Sequence, residues 1–341
     1  MASSLSIQLS PSERQYILDG CADNCRSDGR DREEFRLYTI VSSSSASEET
    51  TDPPLILSNG SARLFLSSSG GKAATHILCS IKAELGHPSE ERPHQGSLQI
   101  HVEDSLAGAS SAKRQSEKDR NYLQSILVDV LGPTLLDLDA LCILPYHYAF
   151  QVNVDVEILS GTAGNLIDAC SHVIRAALEN TFLPKVIPSS AATNNNNSKD
   201  PTGSTSSDLI LESDMAQAVV PAGSSVVGVT VTVCLRSAID NNSQQKKSFL
   251  LLLDASLEEE SCSYCQVHVA VDTGEDSGEE PVVCALRKTG EGSVPWDLLP
   301  EITALAIRAV PKAKNAYKSS IKNALVSGHS KSLLQGQFEI Q

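Results

Sequence analysis

The sequence predicts an α+β protein built from two halves, each running several strands and then a helix, and three observations predict it. Phe150, Val152, Val154, Val156 and Ile158 alternate with Gln151, Asn153, Asp155 and Glu157, the period of a strand with one buried and one wet face. Leu166, Cys170, Val173 and Ala177, flanked by Ile167, Ile174 and Leu178, recur at helical spacing and make an apolar face broad enough for a core helix. From 189 to 208 the chain holds four consecutive asparagines among small and polar residues, and nothing in that run can pack. It reads as a linker between the halves.

Taken in order, Ser10, Pro11 and Glu13 spell a capping box with proline at the first helical position, so a short helix runs to about Asp19. Phe35 to Val41 reads as a strand and Ser42 to Pro54 as an acidic, Ser-rich loop. Leu55 to Leu66, Thr75 to Leu85 and Ser97 to Val102 are further strands. Glu103 to Ser116 is polar and read as flexible, after which Leu123, Leu127, Val130 and Leu131 mark a helix over Glu117 to Leu131 that Gly132 and Pro133 stop. The second half offers strands at Val226 to Arg236, Phe249 to Asp254, Gln266 to Val271 and Val282 to Arg287. A helical end follows from Trp296, with Pro311 expected to interrupt or kink it. The expected division is a lead-in at 1–25, a first domain at 26–188, the linker at 189–208, a second domain at 209–325 and a tail at 326–341.

With 42 Asp and Glu against 27 Lys and Arg, the net charge is -15. The carboxylates are scattered, so the surface as a whole repels nucleic acid, and any RNA contact needs a local basic patch or one completed by partners. No apolar run is long enough to span a bilayer, and Met-Ala-Ser-Ser-Leu-Ser lacks the regions of a signal peptide. The expected setting is soluble and intracellular, without membrane attachment and with the nine cysteines reduced.

Candidate chemistry competes with plainer readings. Ser67 to Lys72 contains Gly-Gly-Lys but not the spacing of a phosphate-cradling loop, and a strand follows it, so a hairpin loop is the better reading. Cys262 and Cys265, with Cys21 and Cys25, could supply four zinc ligands, yet the pairs fall in different predicted domains and a lone CxxC is a weak zinc signal. His76, His101 and His268 sit on strand-like segments and read as structural. Asp254, Glu258, Glu259 and Glu260 could hold a divalent metal; a solvated strand exit is the favoured alternative. Arg308, Lys312, Lys314, Lys318 and Lys322 make the basic concentration of the chain, a solvated helix face or a contact for RNA or an acidic partner. No metal and no cofactor is expected.

Several stretches together resemble the RNase PH family. Arg26-Ser27-Asp28-Gly29-Arg30 is similar to its Arg-x-Asp-Gly-Arg opening, and Ser58 to Arg63 followed by Thr75 to Glu84 to its first hairpin. Val154-Asp155-Val156 through Gly164 to Ala169, then Ala176-Ala177-Leu178 and Leu183 to Val186, continue the likeness, which Asp254 to Glu260 and Arg287 to Gly292 carry into the second half. Active members resemble one another in an Asp-Gly-Gly-Thr-Arg segment whose hydroxyl and guanidinium grip phosphate. Here those positions read Thr162-Ala163-Gly164-Asn165-Leu166, and Leu166 cannot bind phosphate. Where active members carry an Asp before the strand at Gln266, this chain has Ser263-Tyr264-Cys265.

The resemblance therefore implies an RNase PH-like fold of two βαβ-type subdomains with mixed sheets and packed helices, no catalytic residues, and a lost phosphate site at Thr162, Asn165 and Leu166. It implies a non-catalytic RNase PH-type subunit of the eukaryotic RNA exosome, one of a hexameric ring around single-stranded RNA. Its expected partners are other RNase PH-type subunits, RNA-binding cap subunits and an associated exoribonuclease. The expected role is 3′-to-5′ RNA processing and degradation, in rRNA maturation and mRNA turnover, in nucleus, nucleolus and cytoplasm. Lys113, Arg114, Lys118 and Arg120 are the candidate RNA contacts. An active phosphate-dependent 3′-to-5′ exoribonuclease is the alternative, and an adaptor outside the exosome a third.

Overall fold

The computed structural model describes residues 8–42, 58–67, 73–104, 110–188, 209–211, 226–239, 245–272, 274 and 280–327. Helix α1 (Pro11–Ala22) begins where its capping box predicts: Ser10 Oγ accepts from Glu13 N at 3.3 Å and Glu13 Oε2 from Ser10 N at 2.7 Å. The first sheet comprises β1 (Tyr38–Ser42), β2 (Gly60–Ser67), β3 (Ala73–Gly86), β4 (Ser97–Asp104), β5 (Cys142–Leu144) and β6 (Tyr148–Gly161). Its order is β1-β2-β3-β6-β4, with β5 paired to β6. Helix α2 (Ser110–Val130) crosses from β4 to the β5–β6 hairpin, and β4 pairs parallel to β6, so this half holds a βαβ unit. Alternation on β6 works as predicted: Val152, Val154 and Val156 are buried, while Asp155 lies on the open face.

Helix α3 (Leu166–Glu179) follows β6, and the short strands β7 (Val186–Pro188) and β8 (Leu209–Leu211) pair across the predicted linker, which lies outside the described residues. The second sheet holds β9 (Val226–Ile239), β10 (Gln245–Leu253), β11 (Cys265–Asp272) and β12 (Val282–Thr289) in the order β10-β9-β11-β12. A one-turn helix α4 (Leu257–Ser261) and the long α5 (Leu299–Ser327) complete the chain. Every pairing in this sheet is antiparallel, so the expectation of mixed sheets holds for the first half alone.

The near-continuous apolar run of β9 is explained by burial on both faces. Gly228 and Thr230 face α3, and Cys234 packs with Cys21 of α1. Val227, Val229, Val231 and Val233 face α5, against Ile302, Leu305, Ala306 and Val310. Helix α3, buried from Asp168 to Leu178 except at Arg175, thus lies between the two sheets.

Three expectations need correction. Helix α2 begins at Ser110, inside the segment read as flexible; Ser, Ala, Lys and Arg there are compatible with helix without showing an apolar period. Helix α5 runs through Pro311, because burial of Ala306, Ala309, Val310 and Ala313 offsets the one hydrogen bond that proline removes. The strand at 35–41 starts only at Tyr38, since the backbone and side chain of Arg36 are held by Asp254 instead of a sheet partner.

Candidate functional site: the turn at the head of α3

Thr162 to Leu166, where the resemblance puts phosphate, form the turn from β6 into α3. Gly164 has φ 78° and Asn165 φ 53°. Glycine suits the first position for two reasons: its φ, and a Cβ there would sit 2.6 Å from the backbone nitrogen of Leu257. The non-glycine Asn165 is held in the left-handed region by bonds on all sides. Its backbone N–H donates to Glu260 Oε1 at 3.0 Å, and its side-chain amide donates to Asp168 Oδ2 and Asp254 Oδ1, each at 3.0 Å. Asn165 Oδ1 is buried without a partner. Beside it, among Tyr38, His172, Asp168 and Asp254, lies a cavity of about 20 Å³, the room of a single water. Leu166 is half-buried and packs on the first core, beneath Gly161. Thr162 is exposed.

Asp254 is the hub. It accepts from Arg36 N at 2.7 Å, Arg36 Nε at 2.9 Å, Arg36 Nη2 at 2.6 Å and Arg30 Nη1 at 3.1 Å. Burial raises its carboxyl, but the hydrogen bonds and charge of Arg36, with Arg30 and Asn165, outweigh this and hold it well below the usual carboxylate range. Arg36 also donates to the carbonyl of Ala163 at 2.5 Å, and so ties the turn itself. Arg26 is spent in the same way: Nε and Nη2 reach Glu259 at 2.8 and 2.5 Å, and it also donates to the carbonyls of Asp31, Leu253 and Asp254. Glu259 in turn completes a capping box with Ser256 at the start of α4.

A second branch runs into the sheet. Thr230 Oγ1 donates to Asp168 Oδ1 at 2.6 Å and lies 2.9 Å from His268 Nδ1, whose Nε2 meets Thr289 Oγ1 at 2.8 Å. Burial pushes Asp168 up to about 6 against the bonds from Thr230 and Asn165. Burial likewise pushes Glu260 up to about 7 against those from Asn165 and Gln266. His268 falls to about 3 and His172 to about 4, both through burial. His268 is therefore structural, as read from the sequence. His76 stacks on Phe65 at 4.3 Å with Nε2 unpartnered, and His101 is exposed on β4.

The solvated strand exit expected over 254–260 is wrong. Glu258 is exposed, but Asp254 and Glu259 are interior ion-pair partners and Glu260 is bonded to the α3 turn. The sequence hid this because the partnering arginines lie more than two hundred residues away. Among the described residues no group of three or more His, Cys, Asp or Glu is placed to hold a metal. Cys262 and Cys265 are buried, Cys25 is exposed, and burial lifts Cys21 to about 12. Lys118 is exposed and Arg120 half-buried on α2, outside the bonded network; the side chains of Lys113, Arg114, Lys314, Lys318 and Lys322, and residues 68–72 of the Gly-Gly-Lys loop, lie outside the described residues. Arg36, Thr230 and His172 were missed by sequence reasoning. No local pattern marks them; an arginine next to a strand reads as surface.

The pattern of the 3′ exoribonuclease family, domain 1, called RNase PH, matches residues 57–184. This chain carries an RNase PH domain. The match starts just before β2 and ends just after α3, so β2 to β6 with α2 and α3 lie within it, as does the turn described above. The full chain is 25% identical over 319 residues to the exosome complex component Rrp42 of Methanopyrus kandleri, covering 91% of this chain and 97% of that one. It is 26% identical over 183 residues to the exosome complex component RRP45 of Saccharomyces cerevisiae, 53% of each. Among solved structures, an archaeal exosome core chain matches with a TM-score of 0.58 and 22% identity, over 90% of this chain and 96% of that chain. A chain of the Archaeoglobus fulgidus exosome with RNA bound to the active site matches with a TM-score of 0.59 and 21% identity, over 90% of this chain and 98% of that chain. The RNase PH-like fold thus extends over the second sheet as well.

Proposed function

We propose that this chain is a catalytically silent subunit of an exosome-type ring. It builds the wall of a channel for single-stranded RNA and serves 3′-to-5′ processing and degradation by an associated nuclease. The observation that carries the reading is the fate of the cations around the α3 turn. Phosphorolysis needs a fixed cation or free amide donors to hold phosphate, yet Arg26, Arg30 and Arg36 are all bonded to internal carboxylates, and Leu166 occupies the position of the family's phosphate-binding arginine. Ser263-Tyr264-Cys265 offers no carboxylate at the second catalytic position. Relatives named as exosome components, over nearly the whole chain in the archaeal case, support the assembly. Its setting in this reading is nucleus, nucleolus and cytoplasm, with roles in rRNA maturation and mRNA turnover, and the division at 26–188 and 209–325 gives the ring subunit its two subdomains. Lys113, Arg114, Lys118 and Arg120 are the proposed RNA-path cations. Replacing them with alanine in the assembled ring lowers RNA affinity and the steepness of its salt dependence.

The test is incubation of the pure chain with single-stranded RNA, inorganic phosphate and Mg²⁺. No nucleoside diphosphates are expected. Their appearance, lost again on removal of phosphate, would replace this reading with that of an active phosphorolytic exoribonuclease.

A further inference from the structure

Two loops on the first sheet display rings instead of burying them. His87 and His94 follow β3, Tyr146 and His147 lie in the β5–β6 turn, and Tyr148 opens β6. His87, His94 and His147 are exposed, and Tyr146 is 68% exposed. The rings touch one another: His87 stacks on Tyr148 with centroids 5.8 Å apart at 24°, His147 tilts against Tyr148 at 6.5 Å, and His94 meets Tyr146 edge-on at 5.3 Å. Hydrogen bonds staple the loops together. His87 Nδ1 donates to the carbonyl of His147 at 2.7 Å, Tyr146 N to that of Pro93 at 2.9 Å, and Gln151 Nε2 to that of His87 at 3.2 Å. Pro88, Pro93 and Pro145 stiffen the same segments.

Tyr146 has φ 68°, a left-handed conformation that a bulky residue rarely adopts. Asn or Gly would make this turn at lower cost, and the core gains nothing from a ring that points outward. Backbone strain kept in this way clusters at ligand clamps. We propose that the two loops form a stacking platform for unpaired bases of single-stranded RNA. Tyrosine and histidine faces are the surfaces on which splayed bases stack. The adjacent Leu85, 45% exposed, is too little aliphatic surface for the dry centre of a protein interface. Glu90 and Glu91 on the same loop oppose phosphate and Arg92 offsets them only in part, so the contact is with bases and not with the backbone. The platform rests on the proposed function for its ligand alone, RNA, and not on catalytic silence.

The test uses the full chain and a labelled oligouridine about a dozen nucleotides long, read by fluorescence anisotropy at about 50 and about 200 mM salt. Tyr146→Gly removes the ring while suiting the backbone, so its melting temperature should hold or rise. Weak binding of single strands by the wild type is expected, changing less than tenfold between the two salts, with affinity lowered roughly 5- to 100-fold in Tyr146→Gly. Absence of wild-type binding overturns the platform. Equal binding by variant and wild type also overturns it, while leaving RNA as cargo. A variant that binds RNA normally but no longer co-purifies with partner subunits overturns it in favour of a protein interface.

Discussion

Substituting Asp254 by Asn probes the network at the head of α3 most severely. The change keeps size and shape and removes the charge that Arg30 and Arg36 face. Asp254 takes contacts of 2.6 to 3.1 Å from Arg36, Arg30 and Asn165, and the two guanidinium side chains are each 10% exposed. Charge-assisted hydrogen bonds contribute about 1.5–3 kcal/mol each when measured singly, but bonds to one carboxylate are lost together and do not add. Breaking a buried ion pair by removing one partner costs about 3–5 kcal/mol, because the other charge stays buried and uncompensated. For a chain of this size that is a fall in melting temperature on the order of 10 °C. Urea unfolding followed by circular dichroism measures the free-energy change, and Glu258→Gln, on the exposed neighbour, should stay within about 0.5 kcal/mol. A loss below about 1 kcal/mol in Asp254→Asn would refute the hub, and would mean that the arginines find water or other partners at little cost.

Three further outcomes follow from the same geometry. Asp168 and Glu260 are raised to about 6 and about 7 from ordinary values of 3.8 and 4.5. The folded state therefore binds protons the unfolded state has already released, and stability falls as pH rises from about 4.5 to about 7. Denaturation midpoints across that window should show this slope, and Glu260→Gln should flatten its upper part. Asp254, held low, works in the opposite sense: its contribution is present above the unfolded carboxylate range and disappears only in strong acid. Gly29 and Gly164 both have φ near 80°, but a Cβ meets nothing at Gly29 and backbone at Gly164. Gly29→Ala should cost about 1–2 kcal/mol and Gly164→Ala about 2–5 kcal/mol by thermal or chemical unfolding. Ser10→Ala removes the α1 cap and should cost about 0.5–2 kcal/mol, with earlier protease cleavage near residue 11.

Elements with a strong local signal were legible. The β6 alternation, the α3 face and the Ser10 capping box each appear where the residues alone place them, because period and cap are properties of neighbouring residues. The proposal that Leu166 marks a lost phosphate position comes from the family resemblance and not from any local period or cap. What could not be read is the network that holds that position. Arg36 and Asp254 are more than two hundred residues apart in sequence; Thr230 meets Asp168 only once β9 is laid on α3, and His268 meets Thr230 only once β11 pairs with β9. A run of acids such as 254–260 looks solvated until its partners are known. The early start of α2 was hidden for a simpler reason: its first turns carry helix-compatible residues but no apolar period.

The most direct test of the central claim is purification of the tagged chain from its native cells at low salt, with partners quantified by mass spectrometry. Other RNase PH-type subunits at matched amounts, together with an associated exoribonuclease, are the predicted result. Recovery of the chain alone, or with partners lacking any RNase PH-type subunit, would contradict it.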